Sequence, residues 1–68
     1  MDYQKYVLDF LKENGPSTAV SMTDSLQPKD RCERLRLSLR VCRACRSHAR
    51  FGVLRRDVLG LSVIWKVI

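Results

Sequence analysis

Nine arginines, three cysteines and a single histidine give this 68-residue chain most of its chemistry, and most of them fall in one stretch. From Asp30 to Arg50 the sequence reads DRCERLRLSLRVCRACRSHAR. Wound at about 100° per residue, Arg36, Arg40, Arg43, Ser47 and Arg50 fall on one side of a helix, with Arg46 at the edge. A guanidinium is a planar fork of donors that pairs bidentately with phosphate or carboxylate, so a row of them suits a polyanion. Leu35, Leu39, Cys42, Cys45 and Ala49 fall on a second side, next to Leu37, Val41, Ala44 and His48. The spacing predicts an outward arginine row with Leu35, Leu39 and Cys42 hidden behind it. A merely solvated basic face is the bland alternative. Against it, Glu33 and Asp57 are the only acids after residue 30, too few to neutralise nine arginines.

Cys42, Cys45 and His48 form a C-x-x-C-x-x-H series. Three successive i, i+3 positions on a helix span about 9 Å of rise, too far for all three to hold one ion. Cys32 lies about 15 Å further along the axis, and zinc takes four ligands in a tetrahedron. The series therefore reads as two small core thiols and a polar edge, not a metal site. A redox role would need an exposed, low-pKa thiolate. No Ser-His-Asp spacing, glycine phosphate loop or paired-carboxylate motif is present. Neither an enzyme, nor a cofactor, nor a small-molecule substrate is expected.

Charge is unevenly distributed. Residues 1–30 carry three lysines against five acids, a net of −2, whereas residues 31–68 carry nine arginines and Lys66 against two acids, a net of +8. A chain of this length is one domain, residues 1–68. No apolar run reaches the about 18 residues of a membrane span. The first residues, MDYQKYVLDF, are amphipathic and acidic, unlike a signal peptide, so an intracellular protein is expected. A domain this small buries only about 60% of its unfolded surface. A homodimer is therefore expected, with Leu37, Val41 and Ala44 as the shared surface and Tyr3 and Ile68 beside it.

The elements that must position the arginines follow from turn signals. Asp2 can cap a first helix running to about Asn14, with Tyr3, Tyr6, Val7, Phe10 and Leu11 inward, and Gly15-Pro16 ends it. Ser17 or Thr18 can cap a short second helix to about Leu26, with Ala19, Met22 and Leu26 on one face. Pro28 disfavours helix at Gln27 and separates the second helix from the third. Asp30 and Glu33 have capping-box spacing, and Gly52 terminates the long helix. Val53 to Asp57 and Leu61 to Val67 read as two strands joined through Val58-Leu59-Gly60, with Arg55 and Arg56 near the tip. Trp65 shares a strand face with Leu61, Val63 and Val67 and belongs to the core.

Helix, helix, turn, helix, hairpin: in this order the chain resembles the winged helix-turn-helix family of DNA-binding domains. The resemblance rests on NGPST before the second helix, the Met22 and Leu26 anchors, ARFGVLRRD at the end of the third helix, and the hairpin GVLRRDVLGLSVIWKVI. It implies an α+β fold of three helices with a C-terminal two-stranded β-hairpin wing. It further implies that the third helix enters the major groove of double-stranded DNA and that the wing touches the adjacent backbone or minor groove. Arg36, Arg40 and Arg43 would then face the groove, and Arg55 and Arg56 would be wing contacts. Arg46, Ser47 and Arg50 complete the candidate nucleic-acid-binding set. The expected function is a small transcriptional regulator. The alternatives are a protein-interaction module meeting an acidic partner and an RNA binder reading shape.

Overall fold

Each helix starts at a side chain able to accept a backbone N–H. In the computed structural model, which describes residues 1–68, helix α1 spans Tyr3–Asn14 and the Asp2 carboxylate accepts from the Lys5 N–H at 3.2 Å. Helix α2 spans Ala19–Ser25, and Thr18, not Ser17, is its cap: its hydroxyl oxygen accepts from the Ser21 N–H at 3.1 Å. Helix α3 spans Arg31–Arg50 without a break, and Asp30 caps it by accepting from the Glu33 N–H at 2.8 Å.

The exits are equally local. Gly15 donates its N–H to the Leu11 carbonyl and closes α1. After α3, Gly52 donates to Ala49 O at 3.1 Å and Val53 donates to His48 O at 2.9 Å. These are the paired bonds of a Schellman stop, and Gly52 supplies the positive φ of 76° that it requires. Between α2 and α3 the turn contains no glycine. Gln27 takes the left-handed conformation instead, at φ 54°.

The sheet has three antiparallel strands rather than the expected two. Strand β1 is Ser17–Thr18, β2 is Leu54–Leu59 and β3 is Ser62–Val67, in the order β1-β3-β2. Ser17 pairs with Trp65 and Thr18 with Ile64. The hairpin turn is also shorter than the sequence suggests: Val58 and Leu59 belong to β2, and only Gly60-Leu61 connects the strands. Gly60, at φ 61°, occupies the first of two loop positions, where such turns accept glycine.

One core serves every element except the two-residue β1. It contains Val7 and Leu11 from α1, Met22 from α2, Val41, Ala44 and Cys45 from α3, Leu54 from β2 and Trp65 from β3. Thr23 is buried beside it with its hydroxyl donating to Ala19 O at 2.8 Å. Tyr6 ties α1 to α2 by donating to Met22 O at 2.7 Å.

The inward side of α3 departs from expectation. Leu35 and Leu39 are 62% and 58% exposed, whereas Val41 is fully buried. The reason is rotational: two residues of helix turn through about 200°, so a buried Val41 sends Leu39 outward. The proposed dimer surface fails on the same geometry, since Val41 and Ala44 are spent in the core and Leu37 is half-buried. No helix is long and apolar enough to cross a membrane.

Candidate functional site: the arginine face of the third helix

With Val41, Ala44 and Cys45 packed inward, the opposite side of α3 presents Arg36, Arg40, Arg43, Arg46 and Arg50, all exposed. From Arg36 to Arg50 the row is about 21 Å long. None of these five forms an ion pair. The three ion pairs of the molecule are Arg34 with Asp24, Arg55 with Asp57, and Lys66 with Asp57. The outward arginine row therefore stands as the sequence implied. It is not purely basic, because Leu35 and Leu39 share it.

The two flanks of the row differ. On the α1 side, the Arg40 guanidinium lies 5.6 Å from the Tyr3 ring centroid, a cation–π contact that holds it over the first turn of α1. Ser47 also turns this way and accepts from Gln4 Nε2 at 3.1 Å. The next residue, His48, donates from Nε2 to the Gln4 carbonyl at 2.8 Å. Ser47 is thus half-buried and committed to α1 rather than a free contact. On the hairpin side, Arg46 faces a groove that also receives Arg56.

Arg55 and Arg56, expected to act together at a hairpin tip, are separated by the pleat. Arg56 pairs with Trp65 across β2 and β3, so its side chain leaves the sheet on the helix side. Arg55 leaves on the other face, where it donates from Nε to Asp57 at 3.3 Å, while Lys66 holds the second Asp57 oxygen at 2.8 Å. Hydrogen bonding to Lys66, helped by the charges of Lys66 and Arg55, holds the Asp57 carboxyl below the usual range. Both arginines lie within β2, and the tip itself is apolar, with Leu59 and Leu61 exposed.

Of the two thiols expected in the core only Cys45 is there, because Cys42 lies on the side of α3 that borders the open groove. Cys32 is exposed, Cys42 half-buried and Cys45 buried. No three His, Cys, Asp or Glu side chains are grouped to hold a metal ion. Arg31 is a further exposed arginine at the start of α3 and forms no ion pair. Its unpaired charge follows from the shortage of acids after residue 30.

Comparisons with protein-family models, with curated proteins and with solved structures return no match for this chain.

Proposed function

We propose that the protein binds double-stranded DNA as a winged helix-turn-helix module, with α3 in the major groove and the β2–β3 hairpin as wing, and that it regulates transcription. The observation that carries this reading is the row of five exposed arginines on one helix face, none with an acidic partner. Unpaired guanidinium groups at helical spacing match phosphates along a groove and can reach guanine O6 and N7. Element order and the strand order β1-β3-β2 are compatible with the assignment. Arg36, Arg40, Arg43, Arg46 and Arg50 are the principal contacts in this reading, with Arg56 the one hairpin arginine facing the same side.

A gel-shift salt series tests it. About six phosphate contacts give a slope of log affinity against log salt near −5. Arg40→Ala with Arg43→Ala should flatten that slope by about 2. Lys12→Ala on exposed α1 removes a charge away from the row and should leave it alone. Absence of any salt-sensitive binding to duplex DNA sinks the proposal.

That outcome would favour a second reading, an interaction module for an acidic partner. The observation behind it is the exposure of Leu35 and Leu39 within the arginine row. An amphipathic acidic helix could cover both kinds of side chain. The accessible surface of 5022 Å² also exceeds the about 4,400 Å² expected of a compact monomer of this mass, which suits a chain that works with something bound.

A further inference from the structure

The hairpin side of α3 contains an open groove of about 830 Å³, within the range of small-molecule sites. Its floor is apolar, formed by Ala19, Cys42, Val63 and Trp65, and Arg46 and Arg56 line it from α3 and β2. Neither arginine is ion-paired, and no acid lines the groove. A phosphate alone would leave the apolar floor wet. A purely apolar guest would leave two guanidinium groups unused.

We infer that the groove binds a small carboxylic acid with an apolar body, its hydrocarbon on Trp65, Val63 and Cys42 and its carboxylate shared by Arg46 and Arg56. Each guanidinium can donate two N–H bonds to a carboxylate, which fixes orientation, while the apolar contact supplies most of the affinity. Cross-strand pairing with Trp65 places Arg56 beside the ring, so charge and apolar surface are adjacent within one pair of strands. The same two guanidinium groups belong to the proposed DNA face. A bound acid therefore occupies their donors, cancels one of their two charges and displaces DNA. This last step rests on the DNA reading; the binding itself does not.

Trp65 is the only tryptophan and lines the groove, so its emission reports occupancy directly. The probe is decanoate below its micelle concentration, with decanol and acetate as controls. Decanoate should shift Trp65 emission saturably, and both controls should be at least about tenfold weaker, equivalent to about 1.4 kcal/mol. Arg46→Ala with Arg56→Ala, two exposed sites, should weaken decanoate by a similar factor, with a thermal melt run alongside to check that the double variant is folded. An unmoved emission, decanol binding as well as decanoate, or a double variant that binds like the parent each overturns the assignment. In a parallel gel shift, decanoate should displace duplex DNA over the concentration range that moves Trp65. If it binds without displacing bound DNA, the shared use of the two arginines is refuted. If DNA never binds, the emission titration still decides the groove.

Discussion

Cys45 has no exposed surface, and burial, reinforced by the neighbouring Cys42, pushes its thiol up to about 12. A thiol held protonated in the fold ionises more readily once unfolded. Its contribution to stability is complete below the ordinary value of 9.0 and is lost as pH rises toward about 12. Burial raises the Tyr6 phenol as well, outweighing a smaller opposing influence of the Ser25 side chain, so its effect has the same sign. Denaturant titrations between pH 8 and about 11 should show falling stability, with a shallower fall in Cys45→Ala. An aromatic disulfide reagent at neutral pH should label exposed Cys32 first, half-buried Cys42 more slowly, and Cys45 only on unfolding. Fast labelling of all three thiols would contradict the packing of α3. That Cys45 is core was legible from its wheel position. That Cys42 borders a groove was not, because no local signal says which side of a helix the hairpin will occupy.

At the scale of elements, local chemistry was easiest to read. Asp2, Asp30, Gly15 and Gly52 all act where capping rules put them. Strand β1 was invisible, because two residues carry no alternation and the pairing comes from β3, more than forty residues away. The rotation of α3 is hidden from the sequence for a related reason. Leucine ranks as more apolar than alanine or cysteine, so Leu35 and Leu39 looked like core, but Val41, Ala44 and Cys45 meet the other elements. The buried residues of α3 all come from its C-terminal half, and a chain this short has little left to cover the N-terminal half. The turn at Gln27 yields a prediction. A non-glycine residue in the left-handed region costs roughly 1 kcal/mol. Gln27→Gly relieves this and returns part of it as unfolded-chain entropy. Its melting temperature should rise by a few degrees, and a clear fall would mean that the Gln27 side chain supports the turn.

For the whole molecule, the decisive facts are a core of eight apolar residues and a split of charge along the chain. Val41 is fully buried in that core. Val41→Ala should cost on the order of 2 kcal/mol, a large share of the roughly 3–10 kcal/mol available to a domain of this length. The melting point should fall by about 10 °C, with Trp65 emission and helical ellipticity still changing together. Separated transitions would show that the hairpin and the helices unfold independently. The charge split was fully legible from composition, and the arginine row survived the correction to α3 because it spans a wide arc. The separation of Arg55 from Arg56 required the register of β2 on β3.

Thr18 has a double duty whose effect reaches beyond its size. Its backbone pairs with Ile64 in the sheet, and its hydroxyl caps α2. The second helix and the hairpin are thereby riveted at one residue, and swinging one relative to the other means breaking either the cap or the strand pairing. The angle between α2 and the sheet is thus set by a single small side chain and its own backbone.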